Sequence, residues 1–260
     1  MTLGVNIDHV AVLREARRVN DPDILQAMYV ATEAGADQIT IHLREDRRHI
    51  QDTDAYRIAK LCKVPLNLEC AIDESIIKII CDIKPHRATL VPEKRQEVTT
   101  EGGLDLFANK ERIQKAIHNL KEKEIAISLF IDPDIDTIDL AKELGADMIE
   151  LHTGSYANIF AMLYSNLATS HHSIKELQED RETLKKMLHS SLEELKTAAE
   201  YADGVGLEVA AGHGLNYQNV HNITAISTIK ELNIGQSIIA RSIFSGLAQA
   251  VKEMKALIDG

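Results

Sequence analysis

Histidines and carboxylates recur in this sequence just after short apolar runs, a placement that suits proton transfer. The first run leads into Asn6-Ile7-Asp8-His9, the second into His42-Leu43-Arg44-Glu45-Asp46-Arg47-Arg48-His49, and the third closes on Asn67-Leu68-Glu69. The fifth ends at Asp132 and the sixth at Glu150-Leu151-His152-Thr153-Gly154; Gly212-His213-Gly214 follows the seventh and Gly235-Gln236 the eighth. Imidazole titrates near neutral pH, so it both takes and gives protons. A carboxyl at the end of an apolar run, as Glu69 is, should be raised by burial toward the range useful for acid–base work. Arg17, Arg44 and His49 offer positive groups to a phosphate, arginine through a planar fork of donors. The glycines at 212, 214 and 235 let backbone N–H groups come close to a second phosphate. Two such positions suit two phosphorylated substrates or one bisphosphate. A single strand-end histidine is more often structural than catalytic, and the charged stretches around Arg47 and Glu93–Glu101 read equally well as solvated loops. It is the clustering over segments far apart in sequence that packing does not explain.

The elements that must position these groups alternate along the chain. Short β-rich runs fall at Leu3–Ile7, Gln38–His42, Pro65–Glu69, Ala88–Val91, Ala126–Ile131, Met148–Leu151, Gly206–Ala210 and Glu231–Ile234. Stretches of helical period lie between and after them: Asp23–Ala34, Asp52–Leu61, Glu74–Ile83, Leu106–Leu120, Asp136–Leu144, Tyr217–Ser227 and Ser242–Ile258. Strands such as Ile127–Ile131 read as apolar on both faces, as a covered parallel sheet requires. Eight βα units in 260 residues predict an α/β fold, a (β/α)8 TIM barrel with extra helices, over an open doubly wound sheet. Active sites of such barrels lie at the carboxyl ends of the strands, where the polar residues fall. Ala34-Gly35-Ala36-Asp37 and Leu144-Gly145-Ala146-Asp147 repeat one phrase, in which glycine ends a helix in a left-handed conformation before the next strand. Between Gly154 and Gly206 the connection is longer than one βα unit needs. Asn158–Leu167 reads as one helix there and Ser173–Ala202 as a longer one capped by Ser173. This insertion, about residues 155–202, is expected to make an oligomer contact or cover the barrel mouth.

Composition narrows the function classes. Hydrophobic residues make up 45% and charged residues 27%, as in an ordinary globular chain, and the length suits one domain over 1–260. Lys and Arg number 29 against 40 Asp and Glu, and the net charge of −11 argues against nucleic acid or an anionic membrane surface as partner. No apolar run approaches the roughly 18 residues of a spanning helix. MTLGVNIDHV lacks the basic and apolar regions of a secretory signal. Three cysteines without CxxC spacing suit reduced thiols in the cytoplasm.

Eight segments carry a resemblance: GVNIDHVAVLREAR, IHLREDRRHI, NLE, LVPEKRQEVTTEGGLD, SLFID, IELHTG, AGHGLNY and ELNIGQSIIA. Together they resemble the pyridoxine 5′-phosphate synthase family. The resemblance implies a (β/α)8 barrel with extra helices, a homo-octamer, and no metal or organic cofactor. It implies condensation of 1-deoxy-D-xylulose 5-phosphate with 3-amino-2-oxopropyl phosphate to give pyridoxine 5′-phosphate, phosphate and water. The family's acid–base positions fall on His42, Glu69 and His213, and its transition-state-stabilising carboxylate on Glu150. Contacts to the aminoketone phosphate fall on Asn6, Arg17, Gly214, Gly235 and Gln236. Those to the deoxyxylulose phosphate fall on Asp8, His9, Arg44, His49 and Thr99. The Glu93–Gly103 loop resembles the family's mobile cover. The chain departs from the family at Gln236, where histidine is usual, and in its longer connection before the seventh strand. Three rival readings remain at this stage. A class I aldolase lacks a strand-end lysine, and a metal-dependent hydrolase would use His42, His152, His213 and Asp132. The third is a phosphosugar-binding barrel without catalysis.

Overall fold

The computed structural model describes residues 1–93 and 102–260. The first half of the chain runs β1 (Thr2–Asn6), α1 (Asp8–Arg17), α2 (Ile24–Glu33), β2 (Gln38–Leu43), α3 (Asp52–Leu61), β3 (Leu66–Cys70), α4 (Glu74–Ile83) and β4 (Arg87–Leu90). It continues with α5 (Lys110–Lys121), β5 (Ala126–Ile131), α6 (Ile135–Leu144), β6 (Met148–His152), α7 (Gly154–Tyr164) and α8 (Arg181–Gly204). The last part is β7 (Glu208–Gly212), α9 (Val220–Thr224), β8 (Glu231–Ile234), α10 (Gln236–Ser245) and α11 (Leu247–Asp259). The eight strands are parallel, pair in sequence order and close β8 onto β1, so the expected (β/α)8 barrel is the fold. No described helix is long and apolar enough to cross a membrane.

Successive strand residues point to opposite faces, and here the two faces differ sharply. Leu3, Val5, Ile39, Ile41, Leu68, Ile127, Leu129, Ile149, Leu151, Val209 and Leu232 are fully buried on the side under the helices. The other side lines the barrel and is mostly polar. Arg87 on β4 reaches across to pair with Glu231 on β8, and Gln38 on β2 donates to Glu231 Oε1 at 3.1 Å and Asn233 Oδ1 at 3.2 Å. Asn233 Nδ2 donates to Glu150 Oε2 at 2.8 Å, while Asn233 Oδ1 accepts from Thr40 at 3.1 Å. Thr89 donates to Asn67 at 2.7 Å. The interior thus holds hydrogen bonds where such barrels usually stack branched aliphatic residues. Strands that looked apolar on both faces in fact alternate: Ser128 projects inward between Ile127 and Leu129. A side chain at Gly4 would collide with Asn233, and one at Gly212 with Glu150, so both glycines make room for this network.

The repeated Gly-Ala-Asp phrase splices helices to strands. Gly35 and Gly145 take φ of +109° and +87°, a conformation suited to glycine. The following aspartates then reach the preceding strand in the barrel. Asp37 Oδ2 accepts from Leu3 N at 2.8 Å and Asp147 Oδ2 from Ile127 N at 2.9 Å. Several helices depart from expectation. Helix α1 was not anticipated, because its exposed Val12 and Leu13 blur the amphipathic pattern. The segment expected as Ser242–Ile258 is two helices broken at Gly246, with φ of +78°. In the long connection α7 begins at Gly154. Helix α8 starts at Arg181, capped by Asp180, whose side chain accepts from the Glu182 and Thr183 N–H groups; Ser173 is not the cap. Ile159, Met162, Leu163, Ile174 and Leu184 pack together there as a satellite core.

Burial, with Glu231 nearby, raises the Glu150 carboxyl despite the opposing Arg87. The native barrel therefore favours its neutral form. The stability this contributes is full below the unfolded value of 4.5 and is lost as pH rises toward about 7. Relative to the parent, Glu150→Gln should be more stable at about pH 8 than at about pH 5 by urea unfolding; an equal effect at both would contradict the shift. Arg87→Ala should cost about 3–5 kcal/mol by leaving Glu231 buried without its partner, whereas Arg87→Met with Glu231→Leu should cost far less.

Candidate active site

Two groups of side chains meet at the carboxyl ends of the strands. The first is built on β1 to β4. Asp8, buried in the first turn of α1, accepts from the His42 backbone N–H through both oxygens, at 2.9 and 3.1 Å. Asn6 closes a two-way bond with it: Asn6 Nδ2 donates to Asp8 Oδ2 at 2.9 Å, and Asp8 N donates to Asn6 Oδ1 at 2.9 Å. The end of β2 is thereby held from below. His42 stands opposite Glu69 in the β2–β3 register, so both side chains project to the barrel side. Glu69 is half-buried. Glu93 bonds His42 Nε2 at 3.0 Å and accepts from the Glu45 N–H at 2.9 Å. Burial opposes ionisation of Glu93, but these hydrogen bonds outweigh it and hold its carboxyl below the usual range.

Arg44 is buried beside Asp46, at 3.2 Å. His49 is buried too, and its Nδ1 accepts from Ile50 N at 2.9 Å. Burial, with His42 and Arg44 adding to it, pushes the His49 imidazole down to about 3. With Nδ1 accepting, the neutral ring carries its proton on Nε2 and is a hydrogen-bond donor there. His9, half-buried in the first turn of α1, lies near enough to contribute to that shift. Sequence reasoning missed Arg14. Its guanidinium forks onto Asp54 at 2.9 and 2.7 Å and donates to the His49 carbonyl at 3.0 Å, clamping α1 to the start of α3. Only recognition of α1 as a helix would have exposed it.

The second group is built on β5 to β8. His152 Nδ1 lies 3.0 Å from Asp132 Oδ1, which also accepts from Gly103 N at 3.0 Å. The His152 bond is the main cause holding the Asp132 carboxyl below its ordinary value. The His213 ring meets the edge of His152 at 4.9 Å between centroids, with Phe130 5.1 Å from His152. His213 has φ of +78°, uncommon for a residue with a side chain and a form of strain that concentrates at functional sites. Thr153 holds it there, its hydroxyl shared between the carbonyls of Gly212 at 2.8 Å and His213 at 2.6 Å. Asn219, fully buried, donates to the Gly214 carbonyl at 3.1 Å. Gly235 lies against Asn6, with room for a Cβ only 2.9 Å from Asn6 Cβ, and joins this group to the first. Helix α10 starts directly afterwards at Gln236, so its unsatisfied N–H groups stand beside the strand ends. The sequence places that helix only from residue 242, although it assigns the backbone N–H groups at Gly235 to a phosphate.

Asn6, Asp8, His9, His42, Arg44, His49, Glu69, His213, Gly214, Gly235 and Gln236 all lie at or just beyond the carboxyl ends of the strands. Two expected site residues do not. Arg17 is exposed at the far end of α1, about 14 Å along the helix from Asp8. Glu150 lies inside the barrel, one inward position below His152. Thr99 lies outside the described residues, as does most of the expected Glu93–Gly103 cover. None of the eight strands carries the lysine an aldolase would need. Among the described residues no group of three or more His, Cys, Asp or Glu is arranged to hold a metal ion.

Solved structures of low sequence identity share the fold. Thiamine phosphate pyrophosphorylase from Pyrococcus furiosus matches with a TM-score of 0.59 at 13% identity, over 99% of this chain and 95% of that one. Phosphoribosylanthranilate isomerase from Thermotoga maritima matches with a TM-score of 0.56 at 12% identity, over 100% and 99%. Much nearer relatives are named pyridoxine 5′-phosphate synthase. That of Sulfurimonas denitrificans is 64% identical over 257 residues, 99% of either chain, and that of Nitratiruptor is 62% identical over 259 residues, 100% and 98%. That of Aliarcobacter butzleri is 60% identical over 258 residues, 99% of each. These matches run the full length, so the long β6–β7 connection has its counterpart in them. Residues 3–260 match the family described as pyridoxal phosphate biosynthesis protein PdxJ. The chain therefore belongs to the PdxJ family, that of the pyridoxine 5′-phosphate synthases.

Proposed function

We propose that the strand-end lining condenses 1-deoxy-D-xylulose 5-phosphate with 3-amino-2-oxopropyl phosphate and closes the pyridine ring of pyridoxine 5′-phosphate. The observation that carries this reading is His42 opposite Glu69, held from below by Asp8, between two sets of phosphate donors. Asp8, His9, Arg44, His49 and Thr99 take the deoxyxylulose phosphate, His49 as a neutral N–H donor. Asn6, Gly214, Gly235 and Gln236 take the aminoketone phosphate, with the N-terminus of α10 adding its N–H groups. Gln236 leaves a backbone contact intact where the family's histidine would offer an imidazole.

The chemistry follows from that placement. The amine adds to the deoxyxylulose carbonyl, and loss of water gives an imine between the substrates. Proton shifts expel the deoxyxylulose phosphate as inorganic phosphate, and water takes its place on that carbon. Carbon–carbon closure onto the aminoketone carbonyl forms the ring, and loss of two further waters makes it aromatic, with the aminoketone phosphate kept as the 5′-phosphate. Each step moves a proton, and His42, Glu69 and His213 are the groups that accept and return it. Glu150, its carboxyl raised by burial, supports the developing charge through the barrel network. Anchoring both substrates by their phosphates makes the condensation effectively intramolecular. The exposed apolar residues Val12 and Leu13 on α1 and Ile243 and Phe244 on α10 support assembly with further copies, for which a homo-octamer is the reading. Arg17 shares α1 with that surface, so its part in phosphate binding depends on the assembly. The chain acts as one barrel unit, and its three free cysteines suit the cytoplasm.

Incubation with both phosphorylated substrates should give a fluorescent pyridine product, and none with either alone. Glu69→Gln should bind both substrates within about threefold of the parent while kcat falls about a hundredfold or more; near-normal turnover would remove Glu69 from its role. Arg44→Ala should raise KM for deoxyxylulose phosphate about tenfold or more, and unchanged saturation by that substrate would contradict its assignment.

A further inference from the structure

We infer that Asp132 and His152 form a positioning pair that fixes the imidazole of His213, a role that rests on His213 acting as an acid–base group. The pair lies at the ends of β5 and β6, outside the residues assigned above to either substrate. Asp132 accepts from His152 Nδ1 at 3.0 Å and is held ionised by that bond, which fixes the proton on Nδ1 and leaves a lone pair on Nε2. That Nε2 is buried and has no hydrogen-bond partner among the described residues. A buried polar atom left unsatisfied is costly, so the ring orientation is imposed by its surroundings. Phe130 packs on one side at 5.1 Å, Asp132 holds Nδ1, and Gly154 leaves no room for a Cβ against Nε2.

The ring thus held presents itself to His213 at 4.9 Å, at an interplanar angle of 66°. His213 is exposed on a left-handed backbone, and the buried His152 is the nearer of the two rings packed against its imidazole, with Phe130 at 6.3 Å. The Thr153 hydroxyl on the next residue fixes the backbone of His213 while His152 fixes its ring. A plain brace between β5 and β6 would need neither the unsatisfied Nε2 nor the contact with His213.

Kinetics on the full-length enzyme separate these roles. His152→Ala and Asp132→Ala should each lower kcat about tenfold or more with both KM values within about threefold, because orientation acts on the reacting geometry rather than on phosphate binding. Asp132→Asn, whose carbonyl accepts the same bond, should restore kcat to within about threefold of the parent. Asp132 is exposed on its outer side, so its variants keep the test available if His152→Ala fails to fold. His152→Ala combined with His213→Ala should be no slower than His213→Ala alone. Parent-like kcat in Asp132→Ala, with only a lowered melting temperature, would overturn the pair while leaving His213 in place. Parent-like kcat in His213→Ala would instead overturn the acid–base reading, and the pair with it.

Discussion

The constraint on which the rest depends is the charged interior of the barrel. Arg87 and Glu231 meet across it, and Gln38, Thr40, Asn233 and Glu150 are hydrogen-bonded to one another around them inside the ring of strands. Such a pair adds little net stability, because desolvating two charges offsets most of their attraction. Stability must come from elsewhere, and the outward faces of the same strands provide it with an almost unbroken layer of Leu, Ile and Val under the helices. The division of labour is strict: apolar residues outside the ring hold the fold, and polar residues inside connect the strands. Gly4 and Gly212 belong to the second task, since their missing side chains give Asn233 and Glu150 their space.

At the mouth the same inward face continues into the proposed site. Gln38 and Thr40 belong to the interior network, and His42, the next inward residue of β2, belongs to the site. On β6 the inward positions run from Glu150 in the network to His152 beside His213. Burial sets the character of several of these groups. It makes His49 a neutral donor and raises Glu150, whereas Glu93 and Asp132 stay ionised through histidine bonds. A site of neutral and ionised groups side by side suits repeated proton transfer.

Much of this was legible in the residues. The strands Ala126–Ile131 and Glu231–Ile234 and the helices Asp52–Leu61 and Glu74–Ile83 lie where periodicity placed them, because each carries a clean apolar stripe. Polar strand ends marked the mouth correctly. What periodicity hid was the inward face: Gln38, Arg87 and Asn233 look like surface residues until closure brings β2, β4 and β8 together. Helix α1 escaped because Val12 and Leu13 are exposed, and with it went Arg14, whose partner Asp54 is forty positions away. Helix α10 was cut short because Gly246, a helix break, was not used as one. The placement of Arg17 depends on tertiary direction, which neither spacing nor composition encodes.

The central claim is that two separately built groups of side chains, one around His42 and Glu69 and one around His213, serve a single ligand. A crystal structure with pyridoxine 5′-phosphate bound tests it most directly. The account places the pyridine ring within hydrogen-bond reach of both groups, with its phosphate against Gly214 and Gly235. A ring held by one group while the other stays at a distance, or a phosphate seated away from those glycines, would contradict it.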